Sequence, residues 1–392
     1  MEPPRGDGMA LFFIILISIS CFYWLVAMAN ALHFFHQEPL PSTFTPPISV
    51  LKPVRGLDPE AYENFSSFVR QDYPEFEVIF GVLEQDDPVV PVIRHIQRDF
   101  PEKRILFYVA PPLGANRKTA ILSHLVQMAN YDYLVCADSD IRVKPNFLKT
   151  LSAFFRDEKV GLVGSLYRSL ARNIWSKVES LLISTFLIPS GVLGFRLFGL
   201  RYAFGAALAF RRQALEDIGG FSTFKDHVAD DHEIARLVHK AGWQVLLAPC
   251  VVSNLLNGVR WSEFWTRQLR WMRVAFVCRR KEYPGILLTF AFPLAIIFAF
   301  SSSFTPISLW FLVVSFGVRL TAGYLMAELL DHREMKRWLY LILLSDLFFV
   351  LLWVMAFFSK RVSWRQEDYL LLSDGRMLPV EKGGEYGEEP KT

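Results

Sequence analysis

The chain is 392 residues long, 52% hydrophobic and only 21% charged, with 35 Phe and 10 Trp. An ordinary soluble domain carries about 25% charged residues, so this balance excludes a disordered chain, a fibrous repeat and a simple soluble enzyme. Net charge is +3, from 42 Lys+Arg against 39 Asp+Glu, with no concentrated basic excess, which argues against nucleic acid as a partner.

Composition divides the chain. Met9–Leu32 is an apolar run without formal charge, long enough to cross a bilayer. It exceeds the apolar core of a signal peptide, and no small-x-small cleavage site follows it. Residues 1–36 therefore read as a retained transmembrane anchor. Residues 37–47, rich in Pro, Ser and Thr, read as a linker. From Ile48 the composition becomes that of a soluble unit, continuing to about residue 260. ISVLKP, FEVIFGVLE, RILFYVA, YDYLVCADSD, VGLVGSLY and WQVLLAP read as strands. YENFSSFVRQ, DPVVPVIRHIQRDF, ANRKTAILSHLVQMA and DHEIARLVHKAG read as helices. Such alternation predicts an α/β unit with a mostly parallel sheet covered on both faces. Leu181–Leu200 is apolar but broken by Pro189, Gly191, Gly194 and Arg196. It reads as a membrane-surface or acceptor-facing segment rather than a span. Cys21, Cys136, Cys250 and Cys278 show no CxxC spacing, so they read as small buried hydrophobes.

Residues 261–283 read as an interfacial helix, and apolar density returns over 284–360. Gly285–Ser303, Ile307–Leu329 and Trp338–Phe358 are span candidates. Arg319 and Asp346 fall inside the second and third. A mutual ion pair, a lipid head-group contact or a place nearer the interface would each relieve their cost. Positive charge in the loop Asp331–Arg337 and again in SKRVSWR places both on the inner side. Three crossings cannot satisfy both, so one segment is expected to be re-entrant. Residues 361–392 read as a polar tail.

Within the α/β unit the acids are informative. Asp86 and Asp87 follow the second strand, where open α/β sheets bind ligands, although Asp87-Pro88 is also a helix start. Asp138-Ser139-Asp140 ends the buried strand YLVCA. Two carboxylates one residue apart repel each other, and Mg²⁺ or Mn²⁺ relieves that repulsion while keeping substrate phosphates as its other ligands. Such a metal suits a departing nucleotide diphosphate. The same tripeptide is also ordinary turn chemistry. Asp230-Asp231 opens a helix, as a cap or as a general base for an acceptor hydroxyl. In Arg267-x-x-Arg270-Trp271 the three side chains share one helix face, suited to a diphosphate or a lipid head group. Lys52 ends the first strand. Asn116 and Lys118 open a helix where an amide and a cation suit a base or phosphate.

These features in this order resemble nucleotide-diphospho-sugar transferases with a GT-A fold in the glycosyltransferase family 2 group. SVLKPVRGLDPEAYENF, QDYPEFEVIFGV, DDP, ADSDIRV, ADDHEIA and SWR resemble the ceramide glucosyltransferases of glycosyltransferase family 21 more closely. Bacterial hopanoid-biosynthesis glycosyltransferases are similar to about the same degree. The resemblance implies a GT-A catalytic domain over 48–260 carrying the membrane helices found above. It implies an inverting hexosyltransferase that moves glucose or N-acetylglucosamine from a UDP-sugar to a lipid hydroxyl, on ceramide, a hopanoid or another lipid. Asp231, with Asp230, would act as base. Lys52, Asp86, Asp87, Lys118, Asp138, Arg267, Arg270 and Trp271 would bind the donor, and Asp138 and Asp140 the metal. Because nucleotide sugars are cytosolic, the catalytic domain is expected in the cytoplasm, at a bacterial cytoplasmic membrane or at a Golgi or ER membrane. Processive polysaccharide synthases share RxxRW but need more spans to form a channel. A receptor or transporter with a dead domain would have lost the carboxylates.

Overall fold

The computed structural model describes residues 5–37, 43–197, 199, 202–256, 258–364 and 367–380, with only the backbone of 5–7. Part of the linker (38–42), Arg365 of SWR and residues 381–392 of the tail lie outside the described residues.

Eight strands form one sheet: β1 Ile48–Pro53, β2 Phe76–Val82, β3 Ile105–Val109, β4 Tyr133–Ala137, β5 Ile141–Arg142, β6 Val160–Ala171, β7 Ala207–Arg211 and β8 Gln244–Leu256. Their order is β3-β2-β1-β4-β7-β6-β8-β5. All neighbours from β3 to β4 run parallel, as do β6 and β8. The antiparallel joints are β7, between β4 and β6, and the edge strand β5. Period-2 sequence decides which layer each side chain enters. Val50, Val78, Phe80 and Val135 pack in one core, and Leu51, Ile79, Leu134 and Cys136 in the other. The four expected helices appear at Ala61–Val69, Val90–Asp99, Arg117–Met128 and Asp230–Lys240. Helix Arg117–Met128 lies close on β2 because position 81 is Gly. A Cβ there would meet Ile121 Cγ2 at 2.5 Å. This close approach carries Lys118 over the strand ends.

The stretch read as broken is a long helix. Ile174–Leu182, a π-helical turn Ile183–Leu187 and Ile188–Leu197 run on as one apolar rod. It is one of four helices long and apolar enough to cross a membrane, yet 72% of its apolar window is buried inside the protein. Its apolarity is that of a helix packed on most sides. The other three are Gly8–Phe35, Pro306–Leu329 and Arg333–Phe358. The pair Tyr283–Thr289 and Ala291–Ser301 forms a fifth apolar segment, bent by 71°.

Arg319 and Asp346 do pair. The Arg319 guanidinium donates to Asp346 at 2.8 and 2.6 Å and to the Thr185 carbonyl at 3.2 Å. It lies 4.1 Å from the Trp24 ring centroid. Four helices thus meet at one buried ion pair.

The final stretch carries a second sheet of three strands, β9 Arg361–Trp364, β10 Glu367–Leu371 and β11 Met377–Pro379. It is held to the α/β unit by backbone bonds, Val228 N–H to the Gly375 carbonyl at 3.2 Å and Met377 N–H to the Asp226 carbonyl at 2.8 Å. The turn after helix Pro306–Leu329 is tied to the same unit. Arg168 on β6 donates to the Leu330 carbonyl at 3.1 Å, and Lys144 lies 3.4 Å from the Asp331 carboxylate. The apolar segment Arg333–Phe358 therefore begins and ends against the α/β unit.

Candidate active site

A single cavity of about 1240 Å³ receives most of the residues named from sequence. Lys118, Asp138, Asp140, Asp230, Asp231, Arg267, Arg270 and Trp271 all line it. Lys52, Asp86 and Asp87 are not among the residues that line it.

The carboxylates are delivered by strand and helix ends. Asp138 and Asp140 follow β4, and Asp231 opens helix Asp230–Lys240. Lys118 pairs with the first of them. Its ammonium lies 2.7 Å from the Asp138 carboxylate and 3.3 Å from the Gly205 carbonyl. Burial works against its charge, but Asp138, Asp230 and Asp231 outweigh burial and hold its pKa well above the usual lysine value. Asp231 rests on Gly205, where a Cβ would meet Asp231 Oδ2 at 2.8 Å. Its other oxygen accepts the His232 N–H at 2.8 Å. Burial first, and the charge of Asp230 second, push the Asp231 carboxyl up to about 6. A carboxylate of raised basicity, held on a helix N-terminus in a cavity, is a competent general base.

Asp140 is half-buried and accepts from Asn254 Nδ2 at 2.7 Å. Burial, then repulsion from Asp138 and Asp58, raises its pKa to about 7. Asp58, unmarked in sequence, lines the cavity and accepts from the Ser139 hydroxyl. Among the described residues no group of three metal-competent side chains stands close enough to enclose an ion. Asp138 and Asp140 instead fit a partial site, one whose remaining ligands are donor phosphates and water.

Lys52 is fully buried. Its ammonium donates to the Asp138 backbone carbonyl and lies 4.2 Å from the Phe68 ring centroid. Burial lowers its pKa to about 7 against the pull of Asp138, Asp140 and Asp58. Its place is behind the Asp138 turn. Asp87 accepts from Gly56 N–H at 2.9 Å and from Val89 N–H at 3.0 Å. It shapes the loop leading to the cavity residues Arg55 and Asp58, while Asp86 points to solvent. Asn116 caps its helix, accepting from the N–H groups of Lys118 and Thr119 at 3.0 and 3.2 Å. That capping accounts for an amide at this position.

Arg267 meets a partner sequence reading missed. Glu179, buried on the long apolar helix, accepts two bonds from it, each 2.6 Å. A lone acid inside WSKVESLLISTFL was the available signal. Arg270 turns into the cavity with its guanidinium 5.0 Å from the Trp364 ring centroid. Trp364 and Tyr369 bring the small sheet into the same wall, and Glu367 pairs with Arg117 and approaches Arg55 at 4.0 Å. The cavity is also walled by apolar side chains from membrane-type helices, among them Phe186, Leu187 and Ile286.

The family model for glycosyl transferase family 21 matches residues 11–377. The chain belongs to that family. Ceramide glucosyltransferase 3 of Caenorhabditis elegans is 22% identical over 386 residues, covering 93% of this chain and 81% of the relative. Ceramide glucosyltransferase 1 of the same organism is 24% identical over 275 residues, covering 68% of this chain and 59% of the relative. Among solved structures, the mannosyltransferase PcManGT from Pyrobaculum calidifontis, in complex with GDP-Man and Mn²⁺, superposes with a TM-score of 0.52 at 18% identity. The match covers 87% of this chain and 99% of that one. The fold is that of a GT-A glycosyltransferase, and this family 21 protein is a hexosyltransferase with several membrane-type helices.

Proposed function

We propose that the protein transfers glucose from UDP-glucose to the primary hydroxyl of ceramide, with inversion. One observation carries the reading. Carboxylates and cations line one cavity together with apolar side chains of membrane-type helices, so a water-soluble donor and a lipid acceptor can meet in it. The relatives named ceramide glucosyltransferase support this acceptor over a hopanoid.

In this mechanism Asp231 takes the proton of the acceptor hydroxyl. The acceptor oxygen forms a bond to the anomeric carbon while the bond from that carbon to the diphosphate breaks. The electron pair leaves on the diphosphate, opposite the entering oxygen, and the configuration inverts. Asp230 keeps Asp231 basic. Lys118 holds Asp138 in place, and Lys52 fixes the Asp138 turn from behind. Arg270 and Trp271 face the donor, and Arg267 holds their helix through Glu179. Asp138 and Asp140 would hold Mg²⁺ or Mn²⁺, which when bound neutralises charge on the leaving diphosphate. Placing both substrates at a membrane surface lowers the entropic cost of the bimolecular step. The α/β unit faces the cytoplasm, where nucleotide sugars are found. The segment Arg333–Phe358 turns back without crossing, since both its ends are held on that side.

The test is sugar transfer by the detergent-purified protein, offering UDP-glucose or UDP-N-acetylglucosamine with ceramide, a polyhydroxylated hopanoid or diacylglycerol. Glucosylceramide of β configuration is expected, with turnover reduced by about 10²–10⁴-fold in Asp231→Asn. Wild-type turnover by that variant would overturn the mechanism. Transfer only to the hopanoid would overturn the acceptor.

A further inference from the structure

We propose that the N-terminal helix builds the acceptor wall of the cavity and that Tyr23 on it is a specificity-determining residue. This rests on the reading that the apolar wall receives a lipid. A helix that merely tethers a domain needs only apolarity. This one has a fully buried face, with Ile17, Ser20, Trp24, Ala27 and Ala31 all at 0% exposure. Its opposite face, including Phe12, Ile15, Phe22 and Leu25, is open to lipid.

Next to Tyr23, Trp24 is pinned from three sides. Its indole N–H donates to the Thr289 carbonyl at 2.9 Å. Its ring meets Phe186 edge-on at 6.2 Å. The Arg319 guanidinium, itself paired to Asp346, stacks on it. Thr289 and Phe186 are cavity residues, so these contacts fix the N-terminal helix against the wall at the level of Tyr23. Phe186 stands in the π-helical turn Ile183–Leu187, a distortion often found at functional sites.

Tyr23 itself lines the cavity, facing Ser190. Two hydroxyls thus stand in a wall shared with the apolar Phe186 and Leu187, and the Tyr202 hydroxyl comes close to the neighbouring Gly191. An acceptor chain lying along this wall meets a rigid aromatic body with a polar tip. The body limits girth, and the hydroxyl pair distinguishes a lipid carrying a polar group at that depth from one without it.

The experiment measures kcat/KM of full-length Tyr23→Leu, Tyr23→Phe and Leu25→Ala on ceramides of short, medium and long acyl chain and on diacylglycerol. UDP binding, read as a shift in Tm, reports the donor side. In Tyr23→Leu the ratio of kcat/KM between acceptors should change by about tenfold, the range in which a pocket contact discriminates, with the UDP shift retained. Tyr23→Phe should change the ceramide-to-diacylglycerol ratio alone, and Leu25→Ala, on the lipid face, neither. Acceptor ratios within twofold of wild type in both Tyr23 variants would overturn the inference while leaving the proposed function standing. Wild-type protein that glycosylates no lipid would overturn both, and an unaltered Tyr23 profile alone would not touch the enzyme class.

Discussion

Asp231 is basic for a reason particular to its place. Burial and the neighbouring Asp230 raise its pKa to about 6, while Lys118 acts in the opposite direction. A base must be deprotonated to work, so activity falls as pH drops through about 6 and is full above it. Asp230→Asn removes a negative neighbour, and the acid limb of the kcat/KM profile should move to lower pH. Lys118→Met removes a positive one and should move the limb upward. A limb unmoved in both variants would assign the titration to another group. The Asp-Asp pair was visible in sequence because it sits at a helix start. Which acid rests on the Gly205 backbone was not visible, because that contact joins separate elements.

At the scale of elements, the buried pair Arg319–Asp346 joins two membrane-type helices to the π-helical turn and to Trp24. Removing one partner leaves an uncompensated buried charge. Arg319→Met or Asp346→Leu alone should cost about 3–5 kcal/mol, whereas the double substitution should recover most of that loss. Thermal unfolding in detergent, scanned at one rate for all variants, checks the order. A double variant no more stable than the singles would show that the pair does more than neutralise itself. Glu179 and Arg267 make the corresponding link between the apolar rod and the RxxRW helix. Glu179→Gln keeps the shape but weakens the charge-assisted bonds. Its kcat should fall with KM for the lipid little changed, as assayed with saturating UDP-glucose.

On the scale of the whole molecule, two contacts govern membrane topology. The turn at Leu330–Asp331 is bonded to Arg168, and the small C-terminal sheet to Asp226 and Val228. Both therefore lie on the side of the α/β unit. Helix Ile342–Met355 has 14 residues, about 21 Å of helix against a hydrocarbon core of about 30 Å. The whole segment Arg333–Phe358 is nevertheless long and apolar enough to cross, so its two tethered ends, not its length, point to a segment that turns back. In a background freed of native cysteines, Glu334→Cys and Asp374→Cys should react with an impermeant maleimide only when the catalytic side is exposed. Ser303→Cys should react from the opposite side. Labelling of positions 334 and 374 from opposite sides would mean that the last segment crosses.

Local pattern was enough for the α/β alternation, the sites of the acids and the membrane-type helices. Period 2 in ISVLKP and FEVIFGV, period 3.6 in DHEIARLVHK and unbroken apolarity in Met9–Leu32 are each properties of adjacent residues. Strand β7 escaped because ALAFR is short and antiparallel, and the three C-terminal strands because each has only three to five residues. The tertiary structure alone decided what those elements surround. Arg267 finds Glu179 across 88 residues, and Trp24 finds Thr289 across 265. Sequence carries no periodic trace of contacts that distant. They arise only once separate apolar faces have been buried against one another, and they set which cations line the cavity and where the N-terminal helix stands.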